Sequence, residues 1–252
     1  MDSSQTKTLA GQICVVTGAT RGIGRAIARM LVLEGAKVTL CGRTQDAVNQ
    51  AVAELIQETG GKVEGKAADV RDSDQVGELF RFIDARFGGL DVLVNNAGVG
   101  IFRPVSELSI DEWKSTLETN LYGAFYATRE ALLRFETSGR GYVVNISSLA
   151  GANAFAGGVA YNASKFALNG FSEAAMQDLR SKNVRVSYIM PGSVATDFGG
   201  GHTASQSGAM DWKIWPEDVA EIVKMLLLMP ARTLVSRVEV RPSKPPQPGP
   251  KR

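Results

Sequence analysis

Short apolar runs alternate with longer stretches of helical period along most of this chain, and no other feature narrows the possible folds as much. Residues 12–17, 37–41, 62–67, 90–95, 141–147, 184–190 and about 235–240 form runs of strand length. They read as continuous apolar segments, as expected of strands covered on both faces. Between them lie helix-like stretches at 23–34, 44–58, 73–87, 110–135 and 159–181. Ile23, Ile27, Met30 and Leu31 share one face of the first of these. Ser109 and Glu112 have capping-box spacing. Trp215-Pro216-Glu217-Asp218 opens a further helix, with proline at the first helical position and acids in the first turn. Strand–helix alternation of this kind predicts an α/β fold with a mostly parallel sheet and helices on both faces.

Composition removes several function classes. With 252 residues, 44% hydrophobic and 21% charged, the chain can bury a full core without staples. The longest candidate for a membrane span, 225–229, is far shorter than the roughly 18 residues needed. The polar segment 1–7 lacks a signal-peptide hydrophobic region, so the cytosol is the expected location. A balance of 28 Lys plus Arg against 26 Asp plus Glu gives no case for nucleic acid or membrane as the main partner. Two cysteines make no disulfide framework, and a single histidine, His202, makes a zinc site improbable, so no metal is expected. Cys14 and Cys41 would sit at opposite ends of neighbouring strands, roughly 10 Å apart at about 3.3 Å per residue, as core thiols. Five of the nine prolines fall between 242 and 250. The expected organisation is a flexible terminus at 1–10, one domain at 11–241 and a stiff tail at 242–252.

Two local patterns carry chemistry. Thr17-Gly18-Ala19-Thr20-Arg21-Gly22-Ile23-Gly24 stands between a strand and a helix. Its glycines allow a tight turn and a close backbone approach to a pyrophosphate at the helix N-terminus. The spacing is Gly-x3-Gly-x-Gly rather than the commoner Gly-x-Gly-x-x-Gly. In Tyr161-Asn162-Ala163-Ser164-Lys165, positions i and i+4 share a helix face, so phenol and ammonium can serve one site. A cation near a phenol, whose free pKa is about 10, is expected to move that pKa down.

These two patterns, with Asn95-Asn96-Ala97-Gly98, Asn120, Ser148 and Pro191-Gly192, occur together and in order. In this the sequence resembles the short-chain dehydrogenase/reductase family, in its single-domain branch, from about Gly11 to Val240. The resemblance implies a doubly wound, Rossmann-type sheet of seven strands. It implies that Tyr161 is the general acid in carbonyl reduction and the base in the reverse direction. Ser148, 13 residues before Tyr161, would orient and polarise the carbonyl oxygen; Ser147 has the wrong spacing. Lys165 would lower the tyrosine pKa and bind the nicotinamide ribose, and the Asn120 side chain would hold a water that relays protons to Lys165. For the cofactor the resemblance implies Gly18, Thr20, Arg21, Gly22, Ile23 and Gly24 at the pyrophosphate turn. Asn96, Ala97 and Gly98 would lie beside the adenosine ribose, Asp69 at the adenine amino group and Val70 beside the ring. Pro191, Gly192, Val194 and Thr196 fall in the segment that contacts the nicotinamide carboxamide. The loop 198–215 would be a substrate lid, its few large side chains (Met210, Trp212, Trp215) suiting a substrate of modest size.

NAD-specific proteins place an acid about 20 residues past the glycine turn to hold the ribose hydroxyls. Here Gly42 fills that position and Arg43-Thr44 follows, so the expected cofactor is NADP(H), its 2′-phosphate held by Arg43 and Arg21. The family's acyl-carrier reductases end on glycines that are absent from Arg237-Val238-Glu239-Val240-Arg241-Pro242, which argues against fatty-acid synthesis. The expectation is an NADPH-dependent reductase of a small carbonyl substrate, assembled as a homotetramer or homodimer through apolar residues such as Leu117, Leu121, Phe125, Phe166, Leu168 and Phe171. A catalytically silent dinucleotide-binding sensor or scaffold is the alternative, although it would have no need of the tyrosine and lysine. An epimerase would require a further substrate domain.

Overall fold

A computed structural model of the protein describes residues 8–200 and 212–244. The expectations placed on 1–7, on His202, Met210 and the rest of 201–211, and on the tail from 245 lie outside those residues. In chain order the elements are β1 (Ile13–Val16), α1 (Gly22–Leu33), β2 (Lys37–Gly42), α2 (Gln45–Thr59), β3 (Val63–Ala67), α3 (Ser73–Phe87) and β4 (Val92–Asn95). There follow α4 (Ile110–Leu117), α5 (Gly123–Ser138), β5 (Gly141–Ile146), α6 (Val159–Leu179), β6 (Val184–Pro191), α7 (Pro216–Leu228) and β7 (Arg237–Val240).

Among the described residues the seven strands make one sheet in the order β3-β2-β1-β4-β5-β6-β7, with every pairing parallel. The chain steps outward from β1 to β3 and then returns to β4 on the other side of β1. At such a reversal the loops after the two central strands leave in opposite directions and open a crevice at the strands' C-terminal ends.

Side chains alternate across the sheet and divide the core into two layers. On one face Val16, Leu40, Val94 and Val144 meet Ile27 and Leu31 of α1 and Val223 and Leu226 of α7. On the other, Val15, Leu93 and Val143 meet Leu79, Phe80 and Ile83 of α3 and Ala131 and Phe135 of α5. The predicted inner face of α1 is the buried one, with Ile23 half-buried at its start. The capping box on α4 is complete: the Glu112 N–H donates to Ser109 Oγ at 3.1 Å and the Ser109 N–H to Glu112 Oε2 at 3.0 Å. Pro216 opens α7 as its first residue.

Three expectations need correction. The stretch 110–135 is two helices, because residues Glu118–Tyr122 form a wider π-turn between α4 and α5. The flanking backbone stays helical (Leu117 at φ −67°, ψ −44°; Gly123 at φ −58°, ψ −40°), so the apolar period runs through the insertion. Leu168 belongs to the core at 2% exposure, while Phe125 and Phe166 are exposed. The last strand begins at Arg237 rather than near 235, since Val235 instead accepts the Ser187 hydroxyl on its carbonyl. Cys14 pairs with Val38 across β1 and β2, three residues short of Cys41, and both are buried free thiols. Burial pushes the Cys41 thiol up to about 12. Among the described residues no helix is long and apolar enough to cross a membrane, and no cluster of three or more His, Cys, Asp or Glu could hold a metal.

Phe135 is fully buried, and its ring occupies the space a side chain on Gly141 would need at the start of β5. Phe135→Ala should destabilise the protein by about 3–5 kcal/mol, read as a lower urea midpoint with unchanged slope. A shift below about 1 kcal/mol would show that this layer of the core collapses around the cavity.

Candidate active site

The crevice begins at the turn after β1. Gly18 takes φ 62°, and a Cβ on it would lie 2.8 Å from Ala97 Cα; one on Gly24 would overlap the Asn96 carboxamide. A two-way clasp holds the turn there. Asn96 and Ala97 each donate a backbone N–H to Thr17 Oγ1 at 3.0 Å, and Asn96 Nδ2 donates to the carbonyls of Thr17 (3.0 Å) and Gly18 (2.9 Å). Asn96 therefore braces the turn with its side chain. Arg21, the residue before α1, makes no side-chain cap, and the first turn of α1 carries no acid. The N–H groups of Gly22, Ile23 and Gly24 precede the first hydrogen bond of the helix, from Arg25 N to Arg21 O. An uncapped helix N-terminus behind bare glycines fits the pyrophosphate of a dinucleotide.

The next corner lies past β2 and β3. A Cβ on Gly42 would stand 2.7 Å from Thr20 Cγ2 and 3.1 Å from Val48 Cγ2, so Thr20 occupies the space a carboxylate-bearing residue would need. Arg21, Arg43 and Thr44 are exposed. Arg43 lies close enough to Asp69 to help hold its carboxyl below the usual range, although Arg71 is the larger cause. Arg71 grips both Asp69 oxygens, with Nη2 to Oδ2 at 2.6 Å and Nε to Oδ1 at 3.0 Å. The Asp69 carboxylate is thus already engaged, and Arg71 is a residue the sequence reading passed over; its only signal was the Asp-x-Arg spacing. Val70 is 7% exposed and packs against Gly123.

At the far end of the crevice stand Ser148, Tyr161 and Lys165. Ser147 and Ser148 divide by strand parity at the end of β5. Ser147 donates to Asn169 Oδ1 at 2.5 Å inside the fold, whereas Ser148 faces the Tyr161 phenol. Tyr161 lies in the first turn of α6 at 9% exposure, and Lys165, one turn on, is 4% exposed. Lys165 Nζ donates to Ile146 O at 2.9 Å and lies 5.8 Å from the Tyr161 ring centroid. Burial sets the electrostatics of the pair by disfavouring both charged forms. It pushes the Tyr161 phenol up, with the Ser148 hydroxyl pulling partly back, and it lowers Lys165 to about 8. The expected lowering of the tyrosine by the lysine is not what the protein alone displays. Desolvation is the larger cause, and the opposing pull comes from the Ser148 hydroxyl.

Asn120 sits in the π-turn at 1% exposure, with its carboxamide bonded to protein at both ends. Oδ1 accepts the Val99 N–H at 2.7 Å, and Nδ2 donates to Val99 O and Ser164 Oγ, both at 2.9 Å. Both N–H hydrogens of the side chain go to protein acceptors, and Oδ1 keeps one lone pair beyond the Val99 N–H. The side chain ties the loop after β4 to α6 and lies 3.3 Å from where a Cβ on Gly98 would stand. After β6, the backbone of Val194 pairs with Ile214, Gly192 N donates to Val240 O at 2.8 Å, and Thr196 comes within reach of Gly22. The loops bearing Pro191, Gly192, Val194 and Thr196 thus close against the glycine turn. All the sequence-identified positions therefore lie along the C-terminal side of the sheet.

Comparison with known proteins decides the family. The model of the short chain dehydrogenase family matches residues 12–207. The chain belongs to that family. An uncharacterized oxidoreductase of Staphylococcus aureus strain N315 is 33% identical over 234 residues, 93% of this chain and 98% of its own length. A metagenomic short-chain oxidoreductase solved with NADP superposes with a TM-score of 0.81 at 38% identity, covering 94% of this chain and 100% of its own. The alcohol dehydrogenase of the archaeon Thermococcus sibiricus, complexed with 5-hydroxy-NADP, gives 0.84 at 31% identity, covering 92% and 97%. This short-chain dehydrogenase is accordingly an oxidoreductase, with the family's sheet and helix layers.

The low Lys165 pKa has a measurable sign. Its folded value, about 8, lies below the ordinary 10.5, so the folded state bears the cost of a buried ammonium below pH 8 and sheds it as pH rises toward 10.5. The stability of the parent protein relative to Lys165→Met should therefore rise by about 2 kcal/mol between about pH 7.5 and 9.5. Taking the difference removes the opposing contributions of Tyr161 and the two thiols. Parallel stability curves would contradict the burial of a titrating amine.

Proposed function

We propose that this short-chain dehydrogenase uses NADP(H) to interconvert a carbonyl compound and its alcohol, with Tyr161 as the acid and base. The observation that carries the reading is the division of labour at β5 and α6. Ser148 faces the buried Tyr161 phenol and Lys165 lies one turn behind, while Ser147 is bonded to Asn169. A nicotinamide cofactor, when bound, would supply the hydride for the carbonyl carbon and would be oxidised in reduction. Ser148 and Tyr161 donate hydrogen bonds to the carbonyl oxygen and orient it. As charge develops on that oxygen, the Tyr161 proton crosses to complete the alcohol, and a proton from solvent restores the phenol. The raised pKa keeps the phenol protonated at neutral pH, so the acid is loaded before the reaction. With a pKa of about 8, Lys165 is mostly ammonium at neutral pH and stabilises the transient phenolate. Asn120 acts as a positioning residue, holding α6 against the loop after β4.

Arg43, with Arg21 across the turn, would hold a 2′-phosphate, and Gly18, Thr20, Gly22, Ile23 and Gly24 would carry the pyrophosphate side. Asn96, Ala97 and Gly98 would bound the adenosine ribose, and Asp69 and Val70 the adenine. Pro191, Gly192, Val194 and Thr196 would bound the nicotinamide. The NADP ligands of the two solved neighbours, together with Gly42 where an acid would repel that phosphate, support the choice. In the same reading, residues 11–241 act as one catalytic domain in the cytosol, with 198–215 as lid. The exposed Tyr122, Phe125, Leu133 and Phe166 on and beside α5 and α6 would pair subunits in a homotetramer.

Tyr161→Phe should lower turnover at least about 100-fold with NADPH affinity retained. Near-normal turnover would remove the tyrosine from the mechanism. Arg43→Ala should weaken NADPH roughly ten- to a hundredfold, the loss of one charge-assisted contact, and leave NADH unchanged. Equal losses for both cofactors would place Arg43 elsewhere. Light scattering should give the mass of four chains, and the mass of one would overturn the assembly.

A further inference from the structure

Two phenylalanines meet the Tyr161 ring, Phe102 from the loop after β4 and Phe198 from the loop after β6, and a third, Phe155 from the loop after β5, packs on Phe102. Phe102 meets the tyrosine edge-on, with centroids 5.5 Å apart and planes at 78°. Phe198 meets it at 5.7 Å, and Phe155 lies 5.8 Å from Phe102. These are ordinary separations for aromatic pairs, about 4.5–7 Å. Yet Phe102, Phe155 and Phe198 remain 44%, 47% and 42% exposed around a tyrosine that is 9% exposed. Clustered large apolar side chains left open to water mark a place where something apolar binds. The rings are seated rather than loose. A Cβ on Gly100 would lie 2.6 Å from Phe198 and 2.9 Å from Phe102, and one on Gly199 would lie 2.5 Å from Phe102. Of the adjoining charges, Arg103 is bound to Glu112 of α4 at 2.7 Å, and Asp197, beside Phe198, is exposed and negative.

We propose that this aromatic collar selects carbonyl compounds whose carbonyl sits on or within an apolar ring, meaning aryl and alicyclic ketones. The inference rests on the reading of Tyr161 as the proton donor, because it is beside that phenol that the rings gather. A hydrocarbon ring can pack among the three phenyl groups and release their bound water. A polyhydroxy carbonyl would leave its hydroxyls without partners among those rings. An anionic one would find Arg103 already paired and Asp197 repelling it.

The test follows NADPH oxidation by the full-length protein with 2-tetralone, acetophenone and cyclohexanone against dihydroxyacetone, acetoacetate and acetone. The ring ketones should have kcat/KM at least about tenfold above the polar and anionic compounds. Phe102→Ala and Phe198→Ala should each raise KM for 2-tetralone about tenfold while changing kcat/KM for acetone about twofold or less. An unchanged NADPH Kd verifies that the variants are folded. Equal or better turnover of the polar compounds, or variants that lose both probes alike, would overturn the collar. If no compound is turned over, the carbonyl-reduction reading fails, and calorimetric titration of 2-tetralone into the protein saturated with NADP+ then decides the collar by itself. Binding weakened by Phe102→Ala supports it; absent or unaltered binding overturns it.

Discussion

The clasp between Thr17 and Asn96 is the contact on which the rest of the site depends. Thr17 follows β1 and Asn96 follows β4, the two strands at which the winding of the sheet reverses. Four hydrogen bonds, two from backbone N–H groups to one hydroxyl and two from one carboxamide to two carbonyls, hold the first turn against the loop after the neighbouring strand. That proximity leaves no space for a side chain at Gly18 or Gly24. It also leaves the start of α1 without a cap of its own, so its unsatisfied N–H groups and the positive end of its dipole face the crevice. An anion-binding end is thus the by-product of a tightly packed crossover rather than an addition to it.

Burial plays the corresponding part at the other end of the crevice. Tyr161 and Lys165 are chemically opposite acids placed in the same dry pocket, and desolvation shifts them in opposite directions, the phenol up and the amine down. The phenol keeps its proton, and the amine is brought near neutrality, where small changes in its surroundings alter its charge. Hydrogen bonds hold this arrangement from three sides: Lys165 to Ile146 of β5, Asn120 to Ser164, and Ser164 to the Tyr161 carbonyl. The π-turn at Asn120 inserts that carboxamide between the loop after β4 and α6 without ending the helix. Widened turns of this kind recur at functional sites.

Most of the scaffold was legible in the sequence because period and capping report backbone geometry directly. The strand runs, the buried face of α1, the Ser109 box and Pro216 all follow from that. The choice of Ser148 over Ser147 came instead from the family's spacing of 13 residues, and the structure turns Ser147 to Asn169 and Ser148 to the phenol. What escaped are features with no local signature. The π-turn keeps helical dihedrals on both sides. Arg71 reaches back to Asp69 across a single turn, a contact that residue spacing hardly distinguishes from solvated charge. Leu168 has the period of an outer-face residue only if α6 is taken by itself; the sheet beneath it makes that face core. Phe102, Phe155 and Phe198 are separated by dozens of residues, and only the parallel topology brings their loops to one phenol.

In this reading the turn after β1 and the corner beside Gly42 together form a site for a 2′-phosphorylated dinucleotide. Calorimetric titration of the unmodified protein with NADPH and with NADH, at one salt concentration, tests this most directly. NADPH should bind at least about tenfold more tightly, the difference made by one charge-assisted phosphate contact. Equal affinities, or a preference for NADH, would contradict the assignment of Arg43 and Arg21 to that phosphate.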